Sequence, residues 1–563
     1  MSIQTQLIRD DDALLASLSD SLGDSPADYG AIYTRRWVVE LLLDLSGYTE
    51  DKPLGELVAV EPACGDGAFL GPMVERLSSS LRMSGKDLAS ASSAIRAFDL
   101  QPGNVEKSRA VVATTLLANG WTGDEATATA TSWVQHNDFL LGPPSDQSAD
   151  FVLGNPPYIR LEDVSPARSA AYRSACPTMG GRADIYVGFF EIGLRILREG
   201  GSLGYICADR WMRNQYGRQL RAFVSSGFAM DAVVHMHDVD AFEDPVSAYP
   251  AITVLRRGRQ NGALVASTDS SFGEEGAQQL LSISNGTSQR SSIAGARATR
   301  LRGWFEGEHA WPDASPERIK LLRQLEADFP PLEDAATGTR IGIGVASGAD
   351  RVFITTNEEL AEPERMLPLL LASDVADGSP KWSGHFLVNP WREDGSGLVD
   401  LEDWPRFHAY LESHAELVKG RNCVKNRPES WHRTIDRVAP VLTHQAKLVF
   451  PDIKASIHPV LDEGNFYPHH NLYWATSSGW DLEVLGGILL SRVAQMFIEA
   501  YAVRMRGGYL RFQAQYLRTI RVPRPESLSD ATQGSLRAAF RARDAGLATK
   551  SALVAYGLGA LPE

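Results

Sequence analysis

Asparagine, two prolines and a tyrosine in succession, Asn155-Pro156-Pro157-Tyr158, make up the stretch of this sequence with the most specific chemistry. The asparagine side-chain carbonyl and the backbone carbonyl of Pro156 offer two acceptors to one NH2 group, because proline fixes the backbone and cannot donate. Tyr158 adds a flat face on which an aromatic ring can stack. Such a set would grip a planar amine, the exocyclic nitrogen of adenine being one example, and hold it toward an electrophile. The bland alternative is a proline turn after a strand, so the surrounding elements must decide.

The apolar run Phe151 to Leu153 reads as a buried strand that stops at Gly154. Its end places Asn155 and Tyr158 at the carboxyl edge of a sheet, where open α/β folds bind their ligands. Upstream, Leu57 to Leu70 reads as a strand, a turn of small residues (Ala63, Gly65, Gly67) and a helix from about Ala68. Small residues there let a ligand approach the backbone closely. Glu61 and Asp66 make the turn unlike a phosphate cradle and suit a cationic or hydroxyl-rich ligand. A second strand, Ala94 to Phe98, ends in Asp99, the usual position of an acid that clamps ribose hydroxyls. A third ends in His136-Asn137-Asp138-Phe139, where Asp138 can accept from an amino group. Strand, crossover helix and strand at these spacings predict a doubly wound α/β sheet. Before the first strand, Tyr33-Thr34 leads into Trp37, Val38, Leu41, Leu42 and Leu45, one helical face, with Thr34 expected as its N-cap. A helix start of that kind also suits an anionic group such as a carboxylate.

A chain of 563 residues, 44% hydrophobic and 22% charged, is expected to fold as two or more globular domains. It has no run of about 18 apolar residues. Leu482 to Val503 comes nearest, but Glu483, Arg492 and Glu499 interrupt it and mark a core helix. The first residues lack a basic segment followed by an apolar one, so no secretory signal is expected. Four cysteines without a CxxC pair fit a cytoplasmic protein and leave no expected metal site. A net charge of −15 counts against a generic nucleic-acid binder, although binding depends on local patches. Two patches are basic: 419–433 with Arg421, Lys425 and Arg427, and 501–523 with Arg506 and Arg511. A charge run is more often only a solvated face.

Taken together these residues resemble the gamma-class, Taq-type N6-adenine DNA methyltransferases of restriction-modification systems. Glu61 to Leu70 resembles that family's cofactor motif, and Asn155 to Tyr158 its catalytic tetrapeptide. The order, with the Tyr-Thr element first and a target-recognition region last, is that of the class. The resemblance implies S-adenosylmethionine as cofactor, held by Tyr33, Thr34, Glu61, Ala63, Gly65, Asp66, Asp99, Asp138, Phe139 and Pro157. It implies Asn155, Pro156 and Tyr158 as catalytic, and Phe242 with Tyr158 as stacking partners of an extruded base. One departure is Arg35, where the family usually has proline. A first-turn proline only pre-sets the helix, so little loss is expected.

The resemblance further implies an S-adenosylmethionine-dependent catalytic domain at 29–260 after a loose arm at 1–28. Residues 163–183 read as a loop over the substrate. Residues 261–330, rich in Ser, Thr, Gly and Gln, read as a linker or elaboration. Pro312-Asp313 with Glu317 and Lys320 lacks the spacing of a metal-dependent nuclease core. Residues 331–523 resemble a mixed α+β DNA target-recognition domain, and 524–563 a helical tail. Expected partners are double-stranded DNA and a separately encoded cognate restriction endonuclease, with no membrane and a monomeric state. Two alternatives remain. Enzymes that methylate glutamine in release factors use the same tetrapeptide but lack a region like 331–523. A non-catalytic DNA-binding component of a defence system would need neither tetrapeptide nor turn.

Overall fold

A ten-stranded mixed sheet carries the first half of the chain. The computed structural model describes residues 34–243, 250–288, 291–425, 427–502 and 509–562. The expected arm at 1–28, Tyr33 and Arg506 lie outside them. The chain divides into two compact units, the first ending at Pro316 and the second starting at Glu317.

In the first unit the strands are β1 (Ala59–Glu61), β2 (Ile95–Asp99), β3 (Val134–His136), β4 (Ala149–Gly154), β5 (Leu197–Ala208), β6 (Phe228–His235), β7 (Pro250–Arg257), β8 (Ala263–Thr268), β9 (Ser292–Ile293) and β10 (Ala296–Leu301). Their order across the sheet is β3-β2-β1-β4-β5-β7-β6-β8-β10-β9. Strands β3 to β5 run parallel, and β7 is antiparallel to both its neighbours. The strand order reverses beside β1, between β2 and β4, which opens a crevice at their carboxyl ends. The helices are α1 (Arg36–Ser46), α2 (Leu70–Ser84), α3 (Pro102–Ala118), α4 (Gly123–Trp133), α5 (Pro166–Ala175), α6 (Tyr186–Ile196), α7 (Arg218–Gly227) and α8 (Glu274–Ser284). Leu41, Leu42 and Val38 of α1 are fully buried and join the core cluster built on β1, β2 and β4. Gly204 of β5 permits this approach: a Cβ there would lie 2.0 Å from Ser46 Oγ and 2.9 Å from Leu42 Cδ2.

Three features differ from the sequence expectations. The stretch 261–330 is not a linker up to Leu301: β8, β10 and β9 extend the sheet beyond β6, with α8 packed on them. Ala296 and Ala298 point inward on either side of exposed Arg297, a strand alternation written in small residues. Residues 163–183 are not a plain loop, since Ser165 caps α5 by accepting from the Arg168 N–H and Pro166 occupies its first turn. Thr34 is not the N-cap of α1. Arg35 holds that place, and its N–H bonds to the Ala241 carbonyl at 3.0 Å.

The second unit contains two four-stranded sheets. One runs Arg340–Ile343, Leu472–Thr476, Lys447–Pro451, Val460–Asp462, all antiparallel. The other runs Ile354–Thr355, Phe386–Val388, Met366–Leu370, Tyr467–Pro468. Helices Asp530–Ala542 and Ala545–Ala555 pack on Leu482–Leu489. The apolar stretch expected as one core helix is two, Leu482–Leu489 and Arg492–Tyr501, bent by 61° where Ser491 caps the second. Among the described residues no single helix is long and apolar enough to cross a membrane.

Candidate active site

The carboxyl ends of β1, β2, β3 and β4 enclose a cleft of about 1100 Å³, open to solvent. It gathers Thr34, Glu61, Ala63, Gly65, Asp66, Asp99, Asp138, Phe139 and Asn155 to Tyr158 along its lining. These residues span more than a hundred positions of sequence, and the ends of β1 to β4, with Thr34 ahead of α1, bring them together.

Gly65 stands at φ 55° and a Cβ there would meet nothing within 4 Å, so its backbone faces open space. Asp99 fixes the turn: its Oδ2 accepts from the Gly65 N–H at 2.9 Å. Its Oδ1 accepts from the Gln101 N–H at 2.8 Å and from Asn104 Nδ2 at 3.2 Å. Glu61 is 1% exposed, and its Oε2 has no hydrogen-bond partner among the described residues. Burial pushes its carboxyl well above the ordinary range, and the charges of Asp99 and Asp66 push the same way. Asp66 and Asp99 are also raised, chiefly by burial. An orphan buried carboxylate beside an open glycine turn fits a ligand that brings its own positive charge. The acid-bearing set fits the cationic amino-acid end and the ribose hydroxyls of S-adenosylmethionine.

At the far end Asp138 is buried, its Oδ1 accepting from the Leu140 N–H at 3.0 Å and its Oδ2 from the Tyr172 hydroxyl at 2.8 Å. Phe139 stacks on Phe189 of α6 with ring centroids 5.6 Å apart. Tyr172, Arg168 and Val164 line this end and were not read from the sequence. A cap-plus-proline signal at Ser165-Pro166 announces their helix, but nothing local says that it covers a cleft.

Asn155 donates from Nδ2 to Thr34 Oγ1 at 3.2 Å. The Tyr158 hydroxyl donates to the Ile206 carbonyl at 3.3 Å while its ring stays half-buried on the cleft wall. Phe242 is 4% exposed and meets Tyr158 edge-on, with centroids 6.3 Å apart and planes at 83°. It is a packed neighbour of Tyr158, and the segment 240–242 is tied to the start of α1. Thr34 bridges Phe242 backbone to backbone, and Arg35 donates from Nε to the Phe242 carbonyl and from Nη2 to Asp240. Arg35, the departure from the family pattern, is thus the residue that ties the 240–242 loop to α1.

Outside the cleft, Asp209, His235, His237 and Asp313 converge, with potential ligand atoms within 4.8 Å of one another. His235 Nδ1 and His237 Nε2 lie 3.0 and 2.8 Å from Asp209 Oδ2. Arg213 donates to both oxygens of Asp209 and lies 3.3 Å from Asp313. That guanidinium supplies the counter-charge a cation would otherwise bring, so the group is a buried ion network.

In the second unit Arg421 and Arg511 are both engaged by groups of their own unit. Arg421 donates to the carbonyls of Val418, Ser347, Trp431 and Arg433 and lies over the Phe353 ring. Arg511 is paired with both oxygens of Asp452. Lys425 and Arg427 are exposed.

Residues 88–242 match the Eco57I restriction-modification methylase family. Over 533 residues the chain is 42% identical to the type II methyltransferase M.PaeR7I of Pseudomonas aeruginosa, covering 94% of this chain and 92% of that one. It is 41% identical over 538 residues to the type II methyltransferase M.XhoI of Xanthomonas vasicola, covering 95% and 98%. Among solved structures it is similar to the type IIL restriction-modification enzyme MmeI, described in complex with DNA, with a TM-score of 0.56 and 12% identity over 98% of this chain and 76% of that one. At that identity the likeness is one of fold.

Proposed function

We propose, on the premise that this chain belongs to the family of type II restriction-modification methyltransferases, that it methylates N6 of an adenine extruded from duplex DNA. Membership carries the coarser statement: a methyltransferase that acts on DNA within restriction and modification. The choice of adenine N6 rests on one observation above the others. Thr34 accepts from the nitrogen of Asn155, and Asn155 and Pro156 both line the cleft, so the amide oxygen and the Pro156 carbonyl are the two acceptors proposed to meet the amine.

Two such acceptors take both hydrogens of an exocyclic amine and leave its lone pair directed at the incoming carbon. S-adenosylmethionine, when bound, supplies a methyl group made electrophilic by its positive sulfur. Glu61, Asp66 and Asp99 would hold the cationic and ribose parts, and Asp138 with Phe139 the adenine. Asn155 and the Pro156 carbonyl would hold the amine as it takes the methyl and gives up one proton to water, the C–S electron pair being left on sulfur. Alignment therefore supplies most of the rate enhancement. A base in a duplex must leave the stack to reach such a cleft, and the Tyr158 ring offsets part of that cost. A cognate endonuclease, whose cutting the methyl group would block, is the expected functional partner. The glutamine and non-catalytic alternatives lose support, because the relatives named above match along nearly the whole chain.

The deciding experiment uses labelled S-adenosylmethionine with DNA, followed by nucleoside mass spectrometry. Wild type is expected to yield N6-methyladenine, and Asn155→Ala at least about a thousandfold less while still binding the cofactor. Methylcytosine as the product, or an unimpaired Asn155→Ala, would sink the assignment.

A further inference from the structure

Tyr172 belongs to no motif read from the sequence, yet α5 lays its hydroxyl 2.8 Å from Asp138 Oδ2. The other oxygen, Oδ1, already accepts from the Leu140 N–H at 3.0 Å. Both side chains are buried, Tyr172 at 4% and Asp138 at 6% exposed. Resting on the reading that the cleft holds a nucleoside methyl donor, we propose that Tyr172 is a positioning residue that sets purine specificity. By donating to Asp138 it keeps that carboxylate an acceptor, so the cleft selects the 6-amino group of adenine over the 6-oxo group of hypoxanthine.

A carboxyl group in apolar surroundings tends to take up a proton. Burial holds Asp138 above the ordinary carboxylate range, and the hydrogen bonds from Tyr172 and Leu140 together with the Arg168 charge limit that rise. The groups facing it are Tyr172 and Arg168 on α5 and, beyond the end of that helix, the Cys176 thiol, itself raised by burial. A protonated Asp138 would carry an O–H and could donate to a carbonyl. A donor fixed on each oxygen favours the ionised form, whose remaining lone pairs accept. A 6-oxo purine would then set acceptor against acceptor in a buried place, a mismatch that binding sites built on hydrogen bonds reject strongly. Phe139, Phe189 and Val164 line the same end and make that place apolar.

The test is calorimetric binding of S-adenosylhomocysteine and S-inosylhomocysteine to wild type, Tyr172→Phe and Asp138→Asn. Wild type is expected to prefer the adenosyl compound by at least about a hundredfold, and Tyr172→Phe to shrink that ratio at least about tenfold. A merely structural Tyr172 would weaken both ligands equally, and an unchanged ratio overturns the proposal. Should Tyr172→Phe fail to fold, Asp138→Asn gives the same readout, because an amide both donates and accepts. A retained ratio in that variant also overturns it. If wild type binds neither compound, the reading of the cleft itself fails, and the proposal falls with it.

Discussion

Thr34 shows how one side chain can change its meaning between sequence and structure. A threonine ahead of an apolar helical face reads as a cap, yet here its Oγ1 receives the Asn155 amide and Arg35 takes the cap position. Thr34→Val keeps the shape and removes the acceptor, freeing the amide to turn over. Methyl transfer measured in a single turnover should fall by about tenfold, roughly one lost hydrogen bond in the aligned state, with cofactor affinity nearly unchanged. Thr34→Ser should restore the rate, and a Thr34→Val enzyme as fast as wild type would remove this role. The tetrapeptide and the turn at Glu61 to Gly67 were legible because their chemistry is local: a few adjacent residues carry it. The Thr34–Asn155 pairing spans 121 positions and leaves no mark in either stretch.

At the scale of elements, legibility followed hydrophobic contrast. Strand β2 buries Ile95 and Phe98, and β4 buries Phe151, Val152 and Leu153. β10 buries mostly alanine, and α8 buries Gly276, Ala277, Leu280 and Ile283, a helical spacing with only two large residues. Those elements therefore read as linker or elaboration. The buried network joins three more distant pieces: the turn after β5, the end of β6 and the segment after β10. Burial opposes ionisation of Asp209 and Asp313, yet Arg213 and the two histidines hold both carboxyls below the usual range, Asp209 far below. Burial pulls His235 down, but Asp313 and Asp209 raise it above the ordinary histidine value. The carboxylates thus stabilise fully above about pH 4 and lose that effect as pH falls through their lowered values. His235 stabilises fully below about pH 6.5 and loses its share as pH rises through its raised value. Thermal unfolding followed across pH should show this window, and His235→Gln should flatten its alkaline side. Asp209→Asn should cost about 3–5 kcal/mol by leaving buried charges unmatched. A pH profile identical in His235→Gln and wild type would contradict the assignment.

For the molecule as a whole, a net charge of −15 must be reconciled with a polyanionic partner. Counting arginines overstated the available positive surface, because Arg421 and Arg511 are spent on carbonyls and a carboxylate of their own unit. Lys425 and Arg427 stand exposed, so Lys425→Ala with Arg427→Ala should weaken DNA binding and lower its salt slope by about one for each lost phosphate contact. An unaltered slope in a salt titration would place the DNA elsewhere. The orphan carboxyl of Glu61 bears on the same balance. Burial and two neighbouring acids favour its protonated form, while no cation among the described residues opposes them. A cationic ligand reverses that preference, so binding and proton loss become one linked equilibrium. S-adenosylmethionine should bind with release of a proton, and its affinity should climb with pH until Glu61 is already ionised in the free protein. Calorimetry in two buffers of different ionisation enthalpy counts that proton directly, and Glu61→Gln should abolish it.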